Sequence, residues 1–222
     1  MPLLLRSLLL RSLPLAGLLA AGLAFPTAHA ADSPEAPADS AAEDLATAIF
    51  AGGCFWCMEP PYDRQPGVTA TTSGYTGGER ENPDYETVSG GGTGHAEAVR
   101  ITYDPDEIGY AELLEIFWRN VDPFAEDRQF CDTGAQYRSA IFYRNDRQRE
   151  LAEASLAEMQ ERFDRAIATE IAPAGTFWEA EDYHQNYYEK NPLRYKFYRF
   201  RCGRDDRLEE IWGDEAGGPT FD

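Results

Sequence analysis

The run Gly52-Gly53-Cys54-Phe55-Trp56-Cys57 constrains this chain more than any other stretch. It follows a short apolar run, Ala48-Ile49-Phe50-Ala51, and leads into what reads as the start of a helix. The stretch is therefore expected to be a strand-to-helix turn carrying a cysteine. The two glycines allow positive φ and close backbone approach just before the thiol. A cysteine placed there faces the unpaired N–H groups of the first helical turn, whose partial positive charge favours thiolate over thiol. Bringing a cysteine from about 8.5 to about 7 takes roughly 2 kcal/mol, the upper end of what a partly buried helix terminus supplies. The helix alone can only just activate Cys54. The bland alternatives are half of a structural disulfide or an inert buried thiol. Against them stand the two aromatics that follow directly and Cys57, placed as in redox C-x-x-C pairs.

The first 30 residues read as a signal peptide. Arg6 and Arg11 accompany a Leu-rich opening, an apolar stretch runs from Leu13 to Phe25, and Ala28-His29-Ala30 forms an A-x-A cleavage signature. Pro14, Gly17 and Gly22 interrupt the apolar stretch and argue against a permanent span. The expectation is export, periplasmic or secreted, with no stable membrane insertion after cleavage. Residues 31–46 are acidic and Pro-rich and read as a disordered linker. In an oxidising compartment the four cysteines, Cys54, Cys57, Cys131 and Cys202, can pair. They are too few for a disulfide scaffold, and their uneven spacing suits a redox site at least as well. With 39 acidic and 20 basic residues the net charge is −19, and losing the leader's arginines makes it more negative. Such a surface repels nucleic acid and anionic membranes.

The remaining length suits one compact domain of about 170 residues with extensions. Strands are expected at 68–75, 95–103, 139–143 and 169–171. The alternation at 95–103 places His95, Glu97 and Val99 on one face and Ala96, Ala98 and Arg100 on the other. Helices are expected at 109–120, with Tyr110, Leu113, Leu114, Phe117 and Trp118 facing a core, at 147–163, with Leu151, Leu156, Met159 and Phe163 inward, and at 183–190. Residues 79–94 read as an irregular loop, long enough to suggest function. From Leu193 to Asp222 no clear period is visible, so this stretch reads as a loop-rich, mobile extension. Helices and strands mix without regular βαβ repetition, which predicts an α+β fold: a two-layer α/β sandwich with a mixed sheet. The domain boundaries are set at 47–192 for the catalytic domain and 193–222 for the tail carrying Cys202.

Taken together, Gly53-Cys54-Phe55-Trp56, Gly74-Tyr75-Thr76-Gly77-Gly78, Asn82-Pro83-x-Tyr85, Gly94-His95-Ala96-Glu97 and Asp132-x-Gly134-x-Gln136-Tyr137-Arg138-Ser139 stand in an order that resembles the peptide methionine sulfoxide reductase A family. Ala180-Glu181-Asp182-Tyr183-His184-Gln185 and Lys190-Asn191-Pro192 extend the resemblance to about residues 47–192. It implies reduction of the S epimer of methionine sulfoxide, free and in proteins, with Cys54 as the nucleophile that becomes a sulfenic acid. Glu97 matches the family's acid, which protonates the sulfoxide oxygen and so must be neutral, a state that burial favours. Tyr85 and Tyr137 match tyrosines that hydrogen-bond this oxygen, and Asp132 matches an aspartate that positions the site. Phe55 and Trp56 resemble the apolar wall that takes the S-methyl group.

Recycling departs from the best-known pattern of the family, in which cysteines of a Gly-rich C-terminal tail resolve the sulfenic acid. Here the tail offers only Cys202. Cys57 needs the least motion, and Cys131 adjoins Asp132, so the preference runs Cys202, Cys57, Cys131. The resemblance implies a thioredoxin-like electron donor and no bound cofactor; no metal and a monomeric state are expected. Two other classes compete. A thiol–disulfide oxidoreductase would use Cys54 and Cys57 without any sulfoxide. A non-enzymatic module would hold two disulfides, or zinc on cysteines with His95 or His184, but the paired short spacings of a zinc site are lacking. Otherwise His95 and His184 read as structural.

Overall fold

The computed structural model describes residues 45–221. The leader at 1–30 and all but the end of the linker at 31–46 lie outside the described residues. The chain opens with β1 (Ala46–Gly52), passes through a single 3-10 turn (Phe55–Cys57) into the short α1 (Glu59–Asp63), and continues as β2 (Val68–Thr76), α2 (Tyr85–Ser89), β3 (Ala96–Tyr103) and α3 (Tyr110–Arg119). A small hairpin of β4 (Arg128–Gln129) and β5 (Asp132–Thr133) precedes β6 (Ser139–Tyr143), α4 (Asp146–Arg162), β7 (Glu170–Pro173) and β8 (Trp178–Glu179). Three helices close the chain: α5 (Tyr187–Lys190), α6 (Pro192–Arg201) and α7 (Arg204–Trp212).

The main sheet has the order β7-β6-β1-β3-β2-β8. β1 runs antiparallel to both β3 and β6, β2 antiparallel to β3 and β8, and β6 parallel to β7, so the sheet is mixed as expected. The alternation seen in the sequence is realised. Phe50, Val99, Ile101 and Ile141 turn to the helical side, where they meet Leu113, Phe117 and Trp118 of α3, while Ile49, Ala51, Ala98, Ala140 and Phe142 line the opposite face. Small residues on that second face let it be covered by the 174–177 segment instead of a helix layer. Glu97 pairs with Tyr75 in the register of β3 with β2 and lies on the helical side.

Two expectations are corrected. Helix α4 turns Gln148, Ala152 and Met159 fully inward, leaving Leu151, Leu156 and Phe163 at the margin of the core. Polar groups are used in that contact: Trp118 Nε1 donates to Ser155 Oγ at 3.1 Å, and Gln148 Nε2 to the Thr47 carbonyl at 2.8 Å. Such pairs satisfy buried donors without an apolar stripe, which is why a hydrophobic period does not show them.

The second correction concerns the C-terminus, which is helical and part of the core. Leu208 and Trp212 are buried, Trp212 Nε1 donates to the Val121 carbonyl at 3.0 Å, and its ring meets Phe163 edge-on at 5.3 Å. Packing therefore continues past residue 192. Pro192 starts α6 and Gly203, in the left-handed region at φ 61, lets the chain turn into α7. The sequence hides these helices because α6 turns half-buried Tyr195, Tyr198 and Arg199 inward and α7 buries Arg204 beside Leu208 and Trp212, so no apolar stripe repeats at the helical period. Trp212→Ala is expected to cost about 3–5 kcal/mol of unfolding free energy in urea titration, where a loose tail would give no change.

Candidate active site

Gly53, at φ 83, turns the chain out of β1, and a Cβ at this position would fall 2.5 Å from Gln129 Cβ, so only glycine fits. Cys54 then caps the 3-10 turn, whose closing bonds run from Cys57 N–H to the Cys54 carbonyl at 3.0 Å and from Met58 N–H to the Phe55 carbonyl at 2.9 Å. Behind the thiol stands this one turn followed by a five-residue helix. Phe55 N–H, the donor expected to face the sulfur, points to Glu97 Oε2 at 3.2 Å.

This arrangement overturns the expectation of a thiol lowered by a helix terminus. Cys54 is only 6 % exposed, and burial pushes its thiol well above the ordinary value; a hydrogen bond with Cys57 and the nearby Cys57, Glu97 and Asp132 charges push the same way. Cys57, 1 % exposed, goes down to about 6, because the Cys54 thiol hydrogen-bonds to it and Arg204 and Arg199 supply positive charge against its burial. The two thiols titrate as one coupled pair, Cys54 pushed up by burial and Cys57 drawn down by the Cys54 hydrogen bond and the arginine charges.

Glu97 lies across from Cys54. Burial raises its carboxyl to about 8, opposed by the Phe55 N–H and helped by the Asp132 and Cys57 charges, so it is protonated at neutral pH. Cys54, Phe55, Trp56, Tyr85, Glu97, Asp132 and Tyr137 all line one cleft of about 60 Å³. The whole residue set expected from the sequence, the cysteine alternatives apart, is thus brought together.

Each wall is held by groups behind it. Trp56 stacks on Tyr187 at 3.7 Å with 7° between ring planes, and its Nε1 donates to His184 Nδ1 at 3.0 Å. A tryptophan can only donate, so His184 carries its proton on Nε2; burial lowers its pKa to about 4 and keeps it neutral. Tyr85 begins α2, whose Asp84 cap accepts from Thr87 N–H at 2.9 Å, and the Tyr85 N–H donates to Glu181 Oε1 at 2.8 Å. The other Glu181 oxygen accepts from Tyr75 OH at 2.9 Å. Burial lifts the Tyr85 hydroxyl to about 12 and raises that of Tyr137, so both remain donors. His95 is structural: its Nδ1 accepts from Gly78 N–H at 3.1 Å and its Nε2 meets the Arg80 carbonyl at 2.7 Å, tying the turn to the start of β3.

Three contributions escaped the sequence reading. Tyr198 of α6 lines the cleft and donates to Asp132 Oδ2. Glu59, fully buried, accepts from Asn186 N–H at 3.3 Å and is raised to about 7 by burial. Arg204 donates to the Asn120 carbonyl at 2.6 Å and stacks over Phe130 at 4.3 Å. All lie outside any recognisable spacing, and only Tyr198 and Arg204 sit in a segment whose helices would have placed them.

Cys202, the preferred resolving residue, is joined to Cys131 in a disulfide, while Cys54 and Cys57 are free. The physical reason is that α6 is packed, which holds Cys202 beside the β4–β5 hairpin instead of on a mobile tail. Cys131, Asp132 and Cys202 form a cluster of potential metal donors among the described residues, but the two sulfurs are bonded to each other and offer no thiolate.

Residues 46–216 match the family described as peptide methionine sulfoxide reductase. Over 174 residues, 78 % of this chain and 96 % of the relative, the sequence is 52 % identical to a peptide methionine sulfoxide reductase MsrA of Bacillus licheniformis. Among solved structures, Mxr1 of Saccharomyces cerevisiae in reduced form aligns with a TM-score of 0.63 at 36 % identity, covering 67 % of this chain and 87 % of that one. A methionine sulfoxide reductase A of Corynebacterium diphtheriae aligns with a TM-score of 0.61 at 37 % identity, covering 67 % and 76 %.

Because the Cys57 charge and hydrogen bond both hold the Cys54 proton in place, Cys57→Ser is expected to lower the Cys54 pKa. The thiolate absorbance near the ultraviolet edge, followed against pH, reads this directly. An unchanged or higher value would break the link between the two sulfurs.

Proposed function

The chain belongs to the peptide methionine sulfoxide reductase A family, a group of thiol-dependent oxidoreductases, and on that premise we propose that Cys54 is the nucleophile and Glu97 the acid in reduction of the S epimer of methionine sulfoxide. The observation that carries this assignment is a neutral, buried Glu97 facing Cys54 across a cleft with one apolar and one hydrogen-bonding side.

The substrate's S-methyl group fits against Phe55 and Trp56, and its oxygen is left to the Glu97 carboxyl and the Tyr85 and Tyr137 hydroxyls. Attack of the Cys54 sulfur on the sulfoxide sulfur weakens the S–O bond, and the Glu97 proton neutralises the oxygen as charge develops there. The proton of Cys54 passes to the Cys57 sulfur, its hydrogen-bond partner. The oxygen takes a second proton, the one relayed through Cys57, and leaves as water while the Cys54 sulfur bonds to the substrate sulfur; a water then adds to the Cys54 sulfur, the S–S bond breaks to release methionine, and the water's second proton returns to Glu97, leaving Cys54 as a sulfenic acid. Asp132, held by Tyr198, orients the polar side of the cleft.

For the second half of the cycle the contact between the two free sulfurs favours Cys57 over Cys202. Its sulfur attacks the Cys54 sulfenic acid, water leaves, and a Cys54–Cys57 disulfide forms. Cys202 and Cys131 then belong to a later step. A thioredoxin-like dithiol protein returns the two electrons, no bound cofactor or metal is needed, and the enzyme acts as a monomer. Its substrates are free methionine sulfoxide and oxidised methionines of exported proteins. Export is supported by the leader at 1–30 and its A-x-A site alone.

The experiment is turnover of separated S and R epimers of an N-acetylated methionine sulfoxide with dithiothreitol. Loss of the S epimer only, abolished in Cys54→Ser, is the expected result; consumption of neither epimer removes the assignment. Glu97→Gln is expected to slow turnover by about 10²–10⁴-fold. Since the acid form of Glu97 is the active one, the rate should fall as pH rises through about 8, and this limb should vanish in Glu97→Gln.

A further inference from the structure

The two sulfur pairs differ in access. Cys54 opens only onto the narrow cleft and Cys57 is buried behind it, while Cys131 is exposed and Cys202 half-buried. The layer between the pairs is thin: Asp132, the neighbour of Cys131, and Tyr198, one helical turn before Cys202, both line the cleft with Cys54. Cys131–Cys202 is therefore the pair more open to a partner protein.

Helix α6 leads to that disulfide and ends on Cys202. Its inner side is made by Tyr195, Tyr198 and Arg199, with Arg199 paired to Asp205. Its outer side is apolar without a partner: Leu193, Phe197 and Phe200 recur at helical spacing and are 83 %, 65 % and 80 % exposed. They make up three of the five large hydrophobic residues that stand exposed among the described residues. Arg194, Lys196 and Arg201 flank them and form no ion pair among the described residues, Arg201 resting instead over the Phe197 ring at 5.9 Å. In a chain of net charge −19 this is a concentrated cationic, apolar strip, and it is continuous with the accessible disulfide.

We propose that the outer face of α6 is the docking surface for the dithiol protein that reduces Cys131–Cys202, a partner with an apolar rim around its nucleophilic cysteine and acidic groups at its edge. The proposal rests on the reductase reading above. The partner's thiolate attacks Cys131, the exposed sulfur, and the Cys131–Cys202 bond breaks to release Cys202 as thiolate. The partner's second thiol then resolves the mixed disulfide, so that two electrons and two protons have passed inward. The Cys131–Cys202 dithiol next exchanges with the Cys54–Cys57 disulfide: one S–S bond re-forms at 131–202 and the catalytic pair returns as thiol and thiolate. Membrane docking through the same basic helix is disfavoured, because it would cover the disulfide that the partner must reach and the molecule as a whole is strongly acidic.

The test uses the full-length oxidised protein, a bacterial thioredoxin recycled by its NADPH-dependent reductase, and mass-shift alkylation to count thiols appearing at Cys131 and Cys202. This readout does not depend on sulfoxide turnover, so a failure of the reductase reading would leave it intact. Two variants are compared: Leu193→Ser with Phe197→Ser and Phe200→Ser, and Arg194→Glu with Arg201→Glu. Both are expected to raise the thioredoxin concentration for half-maximal reduction by about tenfold or more, while reduction by dithiothreitol stays within about twofold of wild type. The charge variant should also lose the salt dependence of the wild-type rate. Should the serine variant fold poorly, as a changed dithiothreitol rate would reveal, the charge variant decides alone. An unchanged half-saturation, no reduction of the wild-type disulfide by thioredoxin, or loss of binding to phosphatidylglycerol vesicles as the only effect of the substitutions would each overturn the proposal.

Discussion

The charge of Arg204 organises this molecule. Its guanidinium is 2 % exposed and has no carboxylate in ion-pair contact among the described residues; it is held by the Asn120 and Gly52 carbonyls and by the Phe130 ring. A buried cation satisfied only by dipoles is costly unless a negative group stands near. Two groups feel its charge, the Asp132 carboxyl and the Cys57 thiol, and the descent of that thiol, led by its hydrogen bond with Cys54, follows in part from Arg204. One side chain from α7 thereby joins the last helices, the end of β1 and the sulfur pair. The glycine turn supplies the shape of the site, but its charge state depends on a residue about 150 positions away.

Burial then sorts the remaining groups by the proton each can hold. Glu97 is kept neutral, Tyr85 and Tyr137 are kept as hydroxyls, and His184 is kept uncharged as a rest for the Trp56 indole. None of these requires an unusual residue, since removal from water does most of the work and the sign of each shift follows from the charge of the ionised form. The cleft is therefore a place where donors remain donors, which suits an oxygen that gains electron density.

Legibility in the sequence followed the strength of local periodicity. The strand at 139–143, the helix stripe from Tyr110 to Trp118 and the alternating faces of β3 are visible because apolar residues repeat there at the period of the element. The five-residue α2 inside the 79–94 loop and the helices after 192 are not, since the first is set by the Asp84 cap, α6 has no fully buried side chain and α7 buries Arg204 among its few inward residues. The site residues were legible through motif order, which places Cys54, Glu97, Tyr85, Asp132 and Tyr137 together without any geometry. What motif order could not convey was the protonation pattern. A turn that looks like a helix start suggests a lowered Cys54, and only the 3-10 geometry with the Phe55 N–H turned to Glu97 shows where that donor goes.

The position of Trp212 and Arg204 in the chain has a consequence for how the protein is made. Both belong to the buried core and both are made long after Cys54 and Cys57. A growing chain can pair β1, β2 and β3 long before it owns the side chains that seal the sulfur turn. Throughout that interval the two thiols lie open to oxidants and to each other, with neither the burial nor the cation that later shape their titration. The chemistry of the pair is thus acquired only when the segment carrying Arg204 and Trp212 docks, and until then it is an ordinary C-x-x-C.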